Sequence, residues 1–248
     1  MYPSSLLIYF WCINLAMAKQ QEFYSEHPKI HVALDCIIFG FDKGDLKLLI
    51  HKRKIEPFKG MWSLFGGLLN PGDSLEDAAG RILNELSGLE NVYMEQFQTY
   101  GEVNRDPAGR VISVAYYALI PADRYREDHS RQYGATWVSL KDLPGLIMDH
   151  NQMVESGLRR LRRRASSQPI GFELLPKEFT IPQLQTLYEA IYQSSLDKRN
   201  FRKKILSMDV LIKLEEKDKV TSRKGAFLYR FDRSKYMKLV DAGYNFTI

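Results

Sequence analysis

Hydrophobic and polar positions follow strand-like patterns along much of the first 150 residues. Runs rich in β-branched and aromatic residues span 31–41, 46–53, 110–121 and 135–140, and a further strand is predicted within 92–103. The DKGD tetrapeptide between the first two runs predicts a hairpin turn. The pattern therefore predicts a sheet built mainly from short, closely connected strands.

Residues 73–86 have the period of a helix instead. Their apolar residues recur three and four positions apart, which places them on one helix face. Asp73 or Ser74 can cap the N-terminus, and Gly88 follows the last turn, where glycine commonly ends a helix. With the strands, this predicts a mixed α/β front half that runs on through a helix, within 140–164, ending in a basic cluster.

The back half predicts a second domain. The Ser, Pro and Gly residues of 165–176 are typical of an interdomain connector. A helix is predicted over 179–193, with Thr180 as its cap, and a second helix over 198–211 after a four-residue turn. Residues 212–232 then form two predicted strands. The order is helix, turn, helix and hairpin.

Charge divides the chain in the same way. Residues 1–155 hold 15 Lys and Arg against 20 Asp and Glu, which is a net charge of −5. Residues 156–248 hold 20 Lys and Arg against 10 Asp and Glu, which is a net charge of +10, so the two parts sum to the net charge of +5 for the chain. An acidic front half and a basic back half favour two domains, the second facing a polyanion. The expected limits are 25–155 for the first domain and 178–240 for the second, with 156–177 as helix end and connector.

The N-terminal 18 residues and the two cysteines indicate in which cellular compartment the protein is expected. The apolar segment 1–18 has no preceding Lys or Arg, so an extension from an upstream start codon is favoured over a signal peptide. Met17 begins a polar stretch typical of a cytoplasmic protein, and no membrane partner is expected. Cys12 and Cys36 have no metal-binding spacing, and Cys36 is expected to be a buried core thiol.

The stretch GGLLNPGDSLEDAAGRILNELSGL, residues 66–89, resembles the signature of the Nudix family. The resemblance covers roughly residues 30–150 and implies an α/β/α sandwich. Two positions depart from the signature, because Ile82 and Leu86 stand where the family has glutamates. The matching positions are Gly67, Asp73, Arg81, Leu83, Glu85, Gly88 and Leu89.

The departures affect catalysis. Nudix hydrolases cleave a diphosphate with divalent metal held by those glutamates, and positions 82, 85 and 86 share one helix face. One remaining carboxylate, Glu85, cannot assemble that ligand set, so we expect no enzyme activity, metal or cofactor. Glu85 is either a leftover acid on the helix surface or a structural partner of Arg81, one turn earlier, or it is a polar contact for a ligand in the former substrate cleft. The candidate effector contacts are Lys52, Glu85, Glu102, Asn104 and Asp106.

The second helix of the back half carries the candidate DNA contacts. Its cations fall within two turns, while Phe201 and Ile205 lie on the opposite face. A helix of this kind can enter the major groove, with the hairpin as a wing beside it. A basic surface helix without a ligand is the plainer alternative. The candidate DNA-binding residues are Lys198, Arg199, Asn200, Arg202, Lys203, Lys204, Ser222, Arg223 and Lys224. The arginines of 159–164 either add backbone contacts or form a solvated helix end.

A Nudix-like domain followed by a winged helix-turn-helix resembles the Nudix-related transcriptional regulators. Some members respond to ADP-ribose, and others, from Bacteroides-type bacteria, respond to arabinose. The stretches DCIIFGF, WSLFGGLL, GLENVYMEQ, RDPAGRVISVAYYAL, QPIGFELLPKEFT and LDKRNFRKKI are more similar to the second group. The resemblance implies a homodimeric repressor of sugar utilisation that binds double-stranded operator DNA and a small effector, arabinose or another pentose rather than ADP-ribose. The ligand signal is expected to pass through residues 165–176.

Two other functions remain possible from the residues. One is a Nudix hydrolase of a nucleoside diphosphate derivative with metal ligands drawn from Glu102 or Asp106. The other is an RNA-binding protein that uses the basic helix. Metal-dependent release of phosphate or nucleotide would favour the hydrolase, and a preference for single-stranded RNA would favour the RNA-binding protein.

Overall fold

The computed structural model describes residues 25–121, 133–219, 225–243 and 246. It separates into two compact units, Met1–His31 and Val32–Ile248. Of the first unit only residues 25–31 are described, and all seven are exposed. The predicted N-terminal extension, 1–18, lies outside the described residues.

The front half is built around one seven-stranded sheet. The strands are β1 (His31–Asp42), β2 (Asp45–Lys52), β3 (Trp62–Ser63), β4 (Phe65–Leu68), β5 (Glu95–Tyr100), β6 (Val111–Pro121) and β7 (Ala135–Ser139). The path of the sheet runs β3-β2-β1-β6-β5, and β4 pairs with β1 while β7 pairs with β2. The predicted hairpin is confirmed, because β1 and β2 are antiparallel and Asp42 faces Asp45 across the turn.

Helices cover both faces of this sheet, as the Nudix-like sandwich requires. Helix α1 (Leu75–Ser87) has Ser74 as its N-cap and Gly88, in the left-handed conformation, as its C-cap. It packs on the face that carries Cys36, so the predicted buried thiol is confirmed. Helix α2 (His150–Ser167) packs in the core of the opposite face.

The helix predicted within 140–164 starts later than expected. Residues Leu140–Asp142 form a single 3-10 turn, and α2 begins only at His150. Pro144 and Gly145 interrupt the pattern between them, because proline restricts the preceding residue and glycine favours turns.

The back half is a winged helix fold. The sequence did not predict the strand β8 (Glu178–Thr180) or the helix α6 (Arg233–Asp241), which are short and have weak periodicity. The predicted helix over 198–211 ends at Ser207, since Leu211 already begins a strand. The elements are β8 (Glu178–Thr180), α4 (Ile181–Tyr192), α5 (Lys198–Ser207), β9 (Leu211–Asp218), β10 (Ala226–Phe231) and α6 (Arg233–Asp241), and the three strands are ordered β8-β10-β9. The predicted Thr180 cap is present as a capping box with Gln183.

The expected connector is packed into the fold. Helix α2 continues to Ser167, and a four-residue helix α3 (Gly171–Leu174) follows. Ile170 and Leu174 are buried in one hydrophobic cluster with Tyr117 of the front sheet and Leu184 of α4. The two domains therefore share a core across 165–176. Within the described residues, no helix combines the length and hydrophobicity needed to cross a bilayer.

Candidate functional site

Helix α5 is held in place by its cap and by its apolar face. The carboxylate of Asp197 accepts the Asn200 backbone N–H at 2.8 Å. Phe201 and Ile205 are buried, and the Phe201 ring lies 5.7 Å from that of Tyr188 on α4. One face of α5 is thus fixed against α4, which leaves the other face for a partner.

The turn between α4 and α5 is fixed by a carboxylate. Glu189 accepts the backbone N–H of Leu196 at 2.9 Å and the side-chain amide of Gln185 at 2.9 Å. These hydrogen bonds, the backbone one first, lower the pKa of Glu189 below its ordinary value. The angle between the two helices of the helix-turn-helix is therefore set by polar contacts as well as by packing.

The outward face of α5 is strongly cationic. Its polar residues form no ion pair with any other residue in the described ranges. Side chains of this kind are free to contact phosphates and base edges. The exposed residues are Lys198, Arg199, Asn200, Arg202, Lys203 and Lys204, six of the nine predicted DNA contacts.

The wing adds cations that the sequence reading did not single out. The ammonium groups of Lys213 and Lys217 lie 3.8 Å and 4.5 Å from the ring centroid of Phe227. Alternation along β9 puts both lysines on one face, a signal that the sequence contained. The predicted contacts Ser222, Arg223 and Lys224 lie outside the described residues.

The arginine cluster of α2 is largely occupied within the fold. Arg160 and Arg164 pair with Glu95 on β5, at 2.7 Å and 3.3 Å. Arg162 donates to the carbonyl oxygen of Ile191 at the end of α4, at 2.9 Å. Neither alternative from the sequence describes these three arginines, because they tie α2 to the front sheet and to the winged helix.

In the altered Nudix box, Arg81 organises the remaining acids. It pairs with Asp73 at 2.6 Å and with Glu85 at 3.5 Å, and it donates to the carbonyl oxygen of Leu68 at 3.2 Å. The hydrogen bond from Arg81 lowers the pKa of Asp73. Although the Glu85 side chain is 58% exposed, it has the structural partner considered above.

The two non-acidic positions of the box belong to the hydrophobic core. Ile82 is 2% exposed, and a methyl group added to Gly67 would lie 3.1 Å from its side chain. Leu86 is partly buried against the same cluster. Among the described residues, no three His, Cys, Asp or Glu side chains are grouped closely enough to hold a metal ion.

The other candidate effector residues lie in two places, Lys52 at the end of β2 and the remaining three in the loop between β5 and β6. Lys52 lies over the Trp62 ring at 5.2 Å. Glu102 and Asn104 are exposed in the loop between β5 and β6. Asp106 accepts the Ala108 N–H at 2.8 Å, as a turn residue does. No hydrogen bond or ion pair within the described residues joins any of them to Glu85.

Sequence reasoning missed a buried polar cluster beside this loop. The guanidinium of Arg105 is 2% exposed and makes two hydrogen bonds to Asp149, at 2.9 Å and 2.7 Å, and an ion pair with Asp35 at 3.5 Å. Ser113 donates to Asp35 at 2.5 Å. An arginine in a polar loop carries no sequence signal for burial, and its partners come from β1 and from the start of α2.

His150 completes this cluster in its neutral form. Its Nδ1 accepts the Leu64 N–H at 3.2 Å, so the ring proton resides on Nε2, 3.5 Å from Asp35. Burial lowers the pKa of His150, although Asp35 and Asp149 act in the opposite direction. In this cluster the Arg105 guanidinium lies between the carboxylates of Asp35 and Asp149, and the neutral His150 adds no charge.

Comparison with known proteins identifies the domain family of each half of the chain. Residues 29–158 match the NUDIX domain model, and residues 171–231 match that of the NrtR DNA-binding winged helix domain. The chain is 30% identical over 236 residues, 94% of its length and 93% of the relative's, to the ADPR responsive transcriptional repressor NtrR of Acinetobacter baylyi. It is 34% identical to an ADP-ribose pyrophosphatase of Methanocaldococcus jannaschii over 54% of this chain and 75% of the relative.

A solved structure resembles the whole arrangement. The crystal structure of Shewanella oneidensis NrtR complexed with a 27mer DNA has a TM-score of 0.73 and 28% identity, and the match covers 87% of this chain and 97% of that one. The expected relation to arabinose-responsive regulators of Bacteroides-type bacteria is not supported by these relatives. With both domains and their order matched, the chain belongs to the Nudix family, among the NrtR-type transcriptional repressors that join a Nudix domain to a DNA-binding winged helix.

Proposed function

We propose that this protein represses transcription by binding operator DNA through α5 and its wing, and that ADP-ribose bound to the Nudix domain controls this binding. The exposed face of α5 carries the DNA part of the proposal, because its five cations form no ion pair within the described residues. A cationic recognition helix without internal ion pairs is suited to phosphates and base edges.

The choice of ADP-ribose replaces the expected pentose. The Acinetobacter relative is named for its response to ADP-ribose, and the Methanocaldococcus relative for cleaving it. The first relative spans nearly the whole of this chain, so its effector is the better guide. Arabinose has no counterpart among these relatives, and the expected role in sugar utilisation has none either.

We also propose that the Nudix domain binds its ligand without hydrolysing it. Ile82 supports this proposal, because its side chain is buried in the core and it stands at a position where the Nudix signature has a metal-binding glutamate. Glu85 is engaged by Arg81 and is a single carboxylate. Mg²⁺ usually requires carboxylates together with substrate phosphates, so the box as it stands lacks a suitable ligand set.

A homodimer is part of the proposal. The Shewanella relative was crystallised on a 27mer DNA, which spans more than two helical turns of about 10 base pairs. Two α5 helices from a symmetric dimer could occupy successive major grooves of a site of that length. Light scattering of the free protein tests this, and a monomer that also binds operator as a monomer would exclude it.

The main experiment measures operator binding by fluorescence anisotropy. Labelled duplex from upstream of the protein's own gene is titrated with protein in the presence of ADP-ribose, arabinose or xylose. We expect specific binding that ADP-ribose alone weakens. Lys203→Gln should weaken binding, whereas Lys141→Gln, which alters an exposed lysine of the front domain, should not.

The same protein is then incubated with ADP-ribose and Mg²⁺ to test hydrolysis. We expect no release of AMP. Release of AMP, together with no specific DNA binding at low salt, would refute the repressor and support the hydrolase. Preferential binding of single-stranded RNA would refute the operator proposal in favour of an RNA partner.

A further inference from the structure

We infer that the buried cluster of Asp35, Arg105 and Asp149 transmits effector occupancy to helix α2 and through it to the winged helix. The inference rests on the proposed function, and it assigns the regulation to particular residues. It concerns the coupling between two binding events rather than either event alone. The relay has three parts: a loop, a buried ion cluster and a helix bonded at both ends.

The loop between β5 and β6 presents an exposed surface with one buried anchor. Val103 is 66% exposed, whereas the neighbouring Arg105 side chain is 2% exposed. The loop is braced internally, because Arg110 donates to the carbonyl oxygens of Gly101 and Glu102, at 2.8 Å and 3.1 Å. A ligand that displaces this surface would move the braced loop as a unit, and Arg105 with it.

Arg105 is hydrogen-bonded to Asp149, the residue that immediately precedes α2. Asp149 stands at the N-cap position, but its carboxylate makes no capping hydrogen bond because it accepts two from Arg105. The Asp149 side chain is therefore attached to the loop, whereas its backbone carbonyl oxygen accepts the Met153 N–H in the first turn of α2. Such a bidentate pair has narrow geometry, so a small movement of the loop must move Asp149 or break the pair.

The cluster resists partial disruption. Asp35 faces the same guanidinium from β1, and His150 beside it is neutral. Removing Arg105 from its place would leave the buried carboxylate of Asp35 and the partly buried one of Asp149 without their cation, which is costly in a low-dielectric interior. Asp35, Arg105 and Asp149 are thus expected to rearrange together, as a two-state element does.

The far end of α2 is bonded to the DNA-binding domain. Arg162 donates to the carbonyl oxygen of Ile191 at 2.9 Å and to the side chain of Gln193 at 2.6 Å. These acceptors lie at the end of α4, directly before the turn into α5. Asp149 and Arg162 are 13 residues apart, about 20 Å along the helix at 1.5 Å per residue, so one rigid element connects the Arg105 cluster to α4.

The test measures the ratio of operator Kd with and without saturating ADP-ribose. ADP-ribose binding to the free protein is measured separately by calorimetry. The variants are Arg105→Lys, which keeps the charge but not the fork, Asp149→Asn, and Arg162→Gln at the other end of α2. Arg163→Gln is the matched control, because the Arg163 side chain is exposed and makes no hydrogen bond or ion pair within the described residues; only its backbone carbonyl oxygen accepts hydrogen bonds, from Ser166 and Ser167.

We expect the Arg105, Asp149 and Arg162 variants to bind both ligands while the Kd ratio falls to below about twofold, from a typical range of 5- to 150-fold. The control should keep the wild-type ratio. If Arg105→Lys or Asp149→Asn fails to fold, Arg162→Gln carries the test, since its side chain is half-buried and lies outside the cluster. A purely structural role would weaken binding or stability without removing the coupling.

The outcomes separate this inference from the proposed function. Folded variants that bind both ligands and retain the wild-type ratio would overturn the inference and leave the repressor intact. A wild-type protein that binds operator but ignores ADP-ribose would overturn the proposed effector, and with it the inference. Loss of coupling in the control as well would show that α2 carries no specific path.

Discussion

Replacing Ile82 by glutamate would restore a Nudix-type carboxylate at a position that the structure places in the core. Ile82 is 2% exposed and packs in the cluster that contains Leu83 and Phe65, next to the backbone of Gly67. We therefore expect Ile82→Glu to unfold the front domain more readily, and not to create a hydrolase.

The magnitude has two parts. Losing a buried isoleucine side chain costs about 2–3 kcal/mol of transfer free energy. A glutamate held in the same environment would be protonated, and a pKa raised by about 3 units costs about 4 kcal/mol at pH 7. The sum, about 6 kcal/mol, rivals the free energy of unfolding of a typical domain, about 5–15 kcal/mol.

Urea unfolding at several pH values is the assay. Because the pKa of the introduced carboxyl is raised in the folded state, the deficit is present at pH 7 and shrinks as the pH falls towards about 4.3, the pKa in the unfolded chain. Ile82→Val serves as the matched control and should cost only about 1 kcal/mol. Leu86→Glu should cost less than Ile82→Glu, because Leu86 is only partly buried.

Two results would refute the reasoning. If Ile82→Glu were nearly as stable as the wild type at pH 7, the side chain would be able to reach solvent in the cleft. If the variant also hydrolysed ADP-ribose with Mg²⁺, the box would be a metal site lacking one ligand, and not a part of the core.

Three further predictions follow from the caps, the cations and the histidines. Asp197→Ala removes the hydrogen bond to the Asn200 N–H and should lower the free energy of unfolding by about 1 kcal/mol in a urea titration, whereas Asp197→Ser should lose less. Lys203→Gln should reduce the slope of log K against log salt by about 0.9 if this lysine contacts phosphate; an unchanged slope would exclude that contact. Burial lowers the pKa values of His150 and His51 in the folded protein. As the pH falls, these histidines therefore take up protons in the unfolded chain before they do so in the folded protein. The free energy of unfolding should accordingly decrease as the pH drops below about 6.5, the pKa of an unperturbed histidine. A thermal midpoint that rises on acidification from pH 7 would contradict this.

Features set by neighbours in the chain were readable from the sequence. The spacing of apolar residues predicted α1, α4 and α5, and the caps Ser74, Thr180 and Gly88 stand as expected, because a cap acts within one turn of its own helix. The exposed cations of α5 follow from the same periodicity. The wing hairpin was also predicted, although its tip lies outside the described residues. Composition and charge separated the acidic front half from the basic back half.

Features that depend on distant partners were not readable. Arg105 resembled an exposed loop residue, because the carboxylate with which it pairs lies 44 residues further along the chain, at Asp149. The connector resembled an open linker, yet Ile170 and Leu174 are buried against both domains. Similarly, the arginines of α2 looked like a basic surface until the fold brought Glu95 and the end of α4 to them.

The sequence by itself determined the local elements, the loss of two Nudix glutamates and the cationic face of α5, since all three depend on residue type and short-range spacing. Only the tertiary structure decided that Ile82 is part of the core and that α2 is bonded at both ends. The physical reason is that burial, and the pairing of charges within it, depends on which segments the fold brings together.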